Sequence, residues 1–290
     1  MGSIVAPSDP ISAMGILSKV GLPHRLSLII EGESLFNDGV AVAIFATLMS
    51  ILEQTAEDLS LGGFVWGLTT DILGAIGVGL IVSFLLFQIF KYTQNRYIKV
   101  LTSILTVMLA YLICEHLEFS GPIAAVICGL FYATGIARQQ KKGLDQETRE
   151  VHDLFYAFWS VIDNLLNGIL FLLVGLLFVD LRSLAGFTTA GILGIVVGAI
   201  LINMISRAAG VFGNVVFEKR LPLEMTKSRF TIFFTWAGLK GGLCLALVMG
   251  TGTSLSSATY NVFLIATYAI VFFTTVVQGL TVGKAYQKLK

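Results

Sequence analysis

One apolar stretch holds residues whose types and spacing could do chemistry. The segment LIIEGESLFNDGVAVAIFATLM, residues 28–49, has the length and apolar character of a membrane-spanning helix, yet it contains Glu31, Glu33, Asn37 and Asp38. An ionised side chain at the bilayer centre costs ~3 kcal/mol on insertion scales and on the order of 10 kcal/mol in simulation, so each acid needs a partner, water or a function. A buried carboxylate can hold a proton, bind a hard cation through its oxygens or pair with a base. At about 100° per residue, Glu33 and Asn37 share one helix face, and Ser34 and Asp38 share another, with Glu31 two turns below Asp38. Two faces imply two partners. Glu33 is expected to form a structural ion pair with Lys240, while Ser34 and Asp38 are expected to face a hydrated cavity.

Other charges reach a similar depth. Measured along their helices, Asp38 lies ~20 Å from Arg25, Asp163 ~15 Å from Asp153, and Lys240 ~16 Å from Arg229. Asp71 and Arg207 sit nearer the ends of their spans, where snorkelling or local pairing is expected.

Two helix breaks accompany these charges. In APSDPI, Pro7 and Pro10 flank Ser8 and Asp9, and each proline removes a backbone donor and disfavours helix before it. In WAGLKGGL, three glycines surround Lys240 and lower the cost of unwinding. Unwound backbone at membrane depth is tolerated only where protein buries it or it lines a cavity. Paired interruptions of this kind point to the midplane binding site of a transporter.

The elements that must position these residues are apolar helices. The chain has 290 residues, 56% hydrophobic and 13% charged, with a mean hydropathy of +0.85, too apolar for a soluble domain. Apolar runs fall at 26–51, 63–90, 97–114, 120–137, 154–179, 185–217, 229–250 and 258–283, after a shorter piece from Pro10 to Val20. The expected fold is all-α, a polytopic membrane helix bundle of about eight full spans plus a half helix. The longest polar stretch, 138–153, is expected to be a cytoplasmic surface loop or interfacial helix. Lys and Arg cluster in every second connection, and the intervening connections hold only Arg182, which places the C-terminus in the cytoplasm.

Several classes are set aside. The net charge of +1 gives no reason to expect a nucleic-acid partner. Cys114, Cys128 and Cys244 lack metal-ligand spacing and are expected to pack rather than to react. His24, His116 and His152 lie at span ends and are expected to be interfacial. GESLF, residues 32–36, lacks the last glycine of a hydrolase nucleophile elbow. The N-terminal MGSIVAPSDP has no basic region of the kind that begins a signal peptide.

Five segments resemble the monovalent cation/proton antiporters of the sodium/proton exchanger (NhaP-like) family. EGESLFNDGVAVAIF resembles its Asn-Asp helix, APSDPISA its unwound Thr-Asp-Pro helix, FWSVIDNLLNGILFLLVGL its Phe-Trp-Glu helix, TWAGLKGGLCLAL its Gly-Leu-Arg-Gly helix, and FFTTVVQGLTV its last span. The resemblance implies an NhaA-like inverted-repeat fold with discontinuous crossing helices, N-terminally truncated, forming a single antiporter domain over 1–290. Within it, 1–51 holds the first broken helix and the Asn-Asp helix, and 229–283 the second broken helix and last span. Ser8 stands for the usual Thr, Ser160 for the usual Glu and Lys240 for the usual Arg.

The function so implied is secondary active exchange of Na+, K+ or Li+ for H+, without a cofactor and without enzymatic chemistry. Asp38 would carry cation or proton in turn, with Na+ held by Asp38 and Ser34, oxygens from Ser8 and Asp9, and Asn37 orienting the site. Glu31, Asp163 and Asn167 would be supporting polar groups. One titrating acid implies electroneutral exchange. The implied setting is the plasma (inner) membrane, with the lipid bilayer as surroundings and a homodimer at full length. Two other classes compete. A cation channel needs a continuous polar path, which AVAIFATLM and LCLALVMG do not offer. A non-transporting membrane fragment, structural or regulatory, is the other alternative.

Overall fold

The computed structural model describes residues 1–53, 61–141, 146–180, 188–217, 225–252 and 254–289. Their regular structure is entirely helical. In chain order the helices are α1 Gly2–Val5, α2 Pro10–Leu17, α3 His24–Glu53, α4 Leu61–Tyr92, α5 Arg96–His116, α6 Gly121–Lys141 and α7 Gln146–Asp180. There follow α8 Thr189–Phe217, α9 Lys227–Trp236, α10 Gly242–Gly250, α11 Ser257–Phe272 and α12 Gly279–Leu289.

Local chemistry sets the boundaries. Asn95 caps α5, its side-chain oxygen accepting the N–H groups of Tyr97 and Ile98 at 2.9 and 3.3 Å, which satisfies two donors that the first turn leaves open. A short 3-10 turn after α2 closes at Gly21 with φ 73°, the left-handed region that glycine enters without steric cost. The expected run 229–250 is two half-helices, α9 and α10, separated by Ala237–Gly241. The last run is one helical rod in which Phe273–Gln278 widens into a π turn between α11 and α12. The 138–153 stretch is helical at both ends, because α6 continues to Lys141 and α7 begins at Gln146.

Five helical segments among the described residues are long and apolar enough to cross a membrane: Gly62–Tyr92, Arg96–His116, Gly121–Gln139, Thr189–Val216 and Ser257–Leu289. The remaining expected runs are α3 and α7, which carry the acids, and the broken pair α9 and α10.

The helices form two compact units, Met1–Ala41 with Leu170–Lys290, and Val42–Ile169. In the second, α4, α5 and α6 meet through small side chains, with Ala75, Ala110, Cys114, Ala124 and Cys128 buried at their contact. A Cβ on Gly79 would stand 3.0 Å from the Ala124 carbonyl oxygen and 3.0 Å from Ile127 Cβ, so glycine is what lets α4 and α6 approach. Toward one end an aromatic cluster takes over, in which Phe90 packs edge-on against Tyr132 and Phe155. The Tyr132 hydroxyl lies 2.8 Å from Thr106 Oγ1, giving each buried hydroxyl a partner.

In the first unit Leu17, Leu26, Phe233, Leu239, Val282 and Tyr286 form the centre of the core. That core draws α2, α3, α9 and α12 together and so fixes the two broken segments. Substitution Gly79→Leu is expected to lower stability by about 1–3 kcal/mol through overpacking. The readout is the thermal unfolding midpoint in detergent, and an unchanged midpoint would contradict the close approach of α4 and α6.

Candidate functional site

The site is assembled from the first break, the second break and the middle of α3, all within one unit. α3 presents Ser34 and Asp38 one turn apart. The Ser8 N–H donates to Asp38 Oδ1 at 2.9 Å, and Ser34 Oγ donates to the Ser8 carbonyl at 2.5 Å. Both polar groups of one unwound peptide residue are therefore held by α3. Ser34 is 2% exposed.

The neighbouring groups of the first break are satisfied by the second. Asp9 N–H donates to the Leu239 carbonyl at 2.9 Å. Lys240 Nζ donates to the Ala6 carbonyl at 2.9 Å, and Cys244 Sγ donates to the Pro7 carbonyl at 3.5 Å. The Asp9 carboxylate turns the chain into α2, accepting the Ser12 N–H at 3.1 Å and the Ser12 hydroxyl at 2.5 Å. A Cβ on Gly241 would lie 3.0 Å from Asp9 Cβ, so the two breaks cross in tight contact there.

The backbone of Lys240 is held from a third element. Its N–H donates to Thr274 Oγ1 at 3.1 Å, and its carbonyl accepts from Thr275 Oγ1 at 3.3 Å. Both threonines belong to the π turn, where the widened backbone brings two successive side chains to one residue; such turns recur at functional sites.

The ion pair of Glu33 differs from the sequence expectation. Its partner is Arg207 on α8, with Nη1 to Oε1 at 3.2 Å and Nη2 to Oε2 at 3.3 Å, while Arg207 Nε donates to the Phe234 carbonyl at 3.2 Å. The planar guanidinium engages both carboxylate oxygens at once, which a lysine ammonium cannot do. Lys240 instead caps the end of α1. Arg207 is thus bound inside the unit rather than snorkelling, and Gly238 makes the room, since a Cβ there would stand 1.7 Å from Arg207 Nε.

A space of ≈670 Å³ is lined by Glu33, Asn37, Asn203, Arg207 and Lys240 among others, so this cavity opens on the Glu33–Asn37 face of α3. Asn37 consequently sits with Glu33, as their shared face requires. Glu31 is exposed. Asp163 lies on α7 in the other unit, and the side chain of Asn167 lies outside the described residues.

Several contacts escaped the sequence reading. Arg207 was expected to pair locally but not with Glu33, although it shares a helical stripe with Asn203 and Asn214. Thr274, Gln278 and Thr281 recur at the same spacing. The Ala6 carbonyl had no signal, because any residue type supplies one.

What the site offers a ligand is oxygen. Asp38 provides a carboxylate, and Ser8 Oγ is buried with no hydrogen-bond partner among the described residues, a cost that a bound ion would remove. Hard cations prefer such donors.

A family model described as "sodium/hydrogen exchanger, transmembrane" matches residues 1–288. The chain belongs to the sodium/hydrogen exchanger family. Members of this family are secondary cation/proton exchangers, not enzymes. Similar curated proteins include the Na(+)/H(+) antiporter NhaH of Halobacillus dabanensis, 31% identical over 99% of this chain and 67% of that protein. The Na(+)/H(+) antiporter NhaP of Pseudomonas aeruginosa is 28% identical over 99% of this chain and 65% of its own length. The Na(+)/H(+) antiporter NhaG of Bacillus atrophaeus is 30% identical, and the match covers 52% of it. The chain therefore spans about half to two thirds of the length of these relatives. Its fold is similar to that of the sodium proton antiporter MjNhaP1 from Methanocaldococcus jannaschii at pH 8, with a TM-score of 0.72 over 99% of this chain and 69% of that chain, at 19% identity. None of these matches favours the channel or the non-transporting alternative.

A double-mutant cycle tests the corrected pairing. Glu33→Gln and Arg207→Gln are expected to couple by about 0.5–3 kcal/mol in unfolding free energy, and Glu33→Gln with Lys240→Gln by clearly less. Equal coupling in the two cycles would contradict the assignment.

Proposed function

We propose that this exchanger moves a monovalent cation, Na+ or in its place K+ or Li+, against H+ across the plasma (inner) membrane, with Asp38 as the group that carries one or the other. The observation that supports this most is the joint hold of Asp38 and Ser34 on Ser8, beside a Ser8 hydroxyl with no hydrogen-bond partner among the described residues. The transported ion is the substrate. Deprotonated Asp38 attracts it, and Ser8 Oγ adds a neutral oxygen. Protonated Asp38 no longer offers the charge, so the ion leaves. One carboxylate carrying one charge of either kind makes the cycle electroneutral.

Ser34 acts as an orienting group in this reading by holding the Ser8 carbonyl, and Asn37 faces the cavity beside Glu33. Asp9 holds the start of α2, and Glu33 with Arg207 fixes α3 against α8. Because every one of these groups belongs to one compact unit, the site can be carried as a body between the two sides of the membrane, as alternating access requires. The distribution of Lys and Arg supports eight spans with a cytoplasmic C-terminus. In this reading the full-length form assembles as a homodimer.

Reconstituted vesicles loaded with a pH-sensitive dye test the proposal. Addition of Na+ is expected to collapse an imposed pH gradient. Asp38→Asn abolishes the response, and Ser8→Ala raises the half-maximal Na+ concentration several-fold while leaving the maximal rate closer to that of the parent. A full response from Asp38→Asn would exclude Asp38 as the carrier; no response of the parent to Na+, K+ or Li+ would exclude transport by this polypeptide alone.

A further inference from the structure

A further groove lies within the unit formed by Val42–Ile169. With a volume of ≈250 Å³, it runs between α4 and α6, and its lining includes Lys91, Arg138, Gln88, Gln139, Phe84 and Phe131. Lys91 and Arg138 stand near the C-terminal ends of α4 and α6, so both helices end on the same side. α5 runs the opposite way and begins there with Arg96 and Lys99, the latter placing its ammonium 5.3 Å from the Phe90 ring centre. This end of the unit is basic, whereas Glu115 and Glu118 mark the other end of α5. Among the described residues, neither Lys91 nor Arg138 has a carboxylate within 4.0 Å.

The chemistry of the lining is that of an amphiphilic anion. Lys91 and Arg138 can only donate, and the amides of Gln88 and Gln139 can donate as well. Phe84 and Phe131 supply apolar wall on the same groove. Gly135 belongs to this lining too, and a Cβ there would stand 2.3 Å from the tip of the Phe87 ring, so a larger residue would displace Phe87, itself part of the wall. Basic pockets between membrane helices suit anionic headgroups, since the bilayer interface supplies phosphate and the hydrocarbon region supplies chains at adjoining depths.

We propose that the groove between α4 and α6 binds an anionic phospholipid, with Lys91 and Arg138 on the headgroup phosphate and an acyl chain against Phe84 and Phe131. Charge complementarity favours a lipid with net negative charge over a zwitterionic one, whose own ammonium would meet two cations. The inference stands on binding and does not require that the chain transport ions.

The test uses the whole chain, delipidated in neutral detergent, with thermal unfolding followed after adding phosphatidylglycerol, phosphatidylcholine or inorganic phosphate. Phosphatidylglycerol is expected to raise the midpoint by several degrees, with the other two giving little. Lys91→Gln combined with Arg138→Gln should remove at least half of that rise, while Arg96→Gln, at the same end but outside the groove, should keep it. Should the double variant not fold, each single variant reads out the same loss at smaller size. Equal stabilisation by phosphatidylcholine, an undiminished rise in the groove variants, or a rise reproduced by inorganic phosphate alone would each overturn the proposal. A rise accompanied by self-association that the groove variants abolish would assign the surface to a second copy instead.

Discussion

Peptide groups at mid-bilayer depth have no water to bond with, so two unwound segments can coexist only where protein completes them. Here each break completes the other. Asp9 N–H meets the Leu239 carbonyl, the Lys240 side chain meets the Ala6 carbonyl, and the Cys244 thiol meets the Pro7 carbonyl. The Ser8 backbone is held by α3 on one side and the Lys240 backbone by the π turn on the other. The consequence for function is direct, because the acceptor chosen for the Ser8 N–H is the Asp38 carboxylate. A proton or a cation arriving at that carboxylate changes the strength of a bond to unwound backbone. In the proposed mechanism, loading of the site is therefore felt by the first break and, through Asp9 and Leu239, by the second.

The two basic residues near the site divide their labour by shape. Arg207 offers a planar fork and takes both oxygens of Glu33, while its Nε reaches the Phe234 carbonyl at the end of α9. Lys240 is 4% exposed and extends a single ammonium to the end of α1, where carbonyls lack helical partners. Each cation thus meets a helix end, but only the arginine neutralises an acid. Asp38 is left without an ion pair within 4.0 Å among the described residues, as the proposed exchange of one small cation for another requires.

Much of this was legible in the sequence, for identifiable reasons. The breaks were marked by Pro7, Pro10 and the glycines around Lys240, residues whose backbone effects are local. Helical spacing correctly separated the Glu33–Asn37 face from the Ser34–Asp38 face, since that periodicity holds wherever α3 is packed. The choice of partner was not legible, because it depends on which neighbour is closer in space, and spacing along one helix cannot rank Arg207 against Lys240. The π turn was also hidden, as Thr274 and Thr275 are ordinary helix residues until the backbone widens and turns both toward Lys240. Contacts made by main-chain carbonyls, such as that of Ala6, leave no trace in residue type.

The central claim is that cation and proton compete for one carboxylate, and the most direct measurement is proton release on cation binding. Purified protein in weakly buffered detergent solution would be titrated with NaCl while bound Na+ and free H+ are followed together, at a pH where the unloaded site holds its proton. The account predicts one proton released for each Na+ bound, with both signals lost in Asp38→Asn. Sodium binding without proton release, or release that persists in Asp38→Asn, would contradict it.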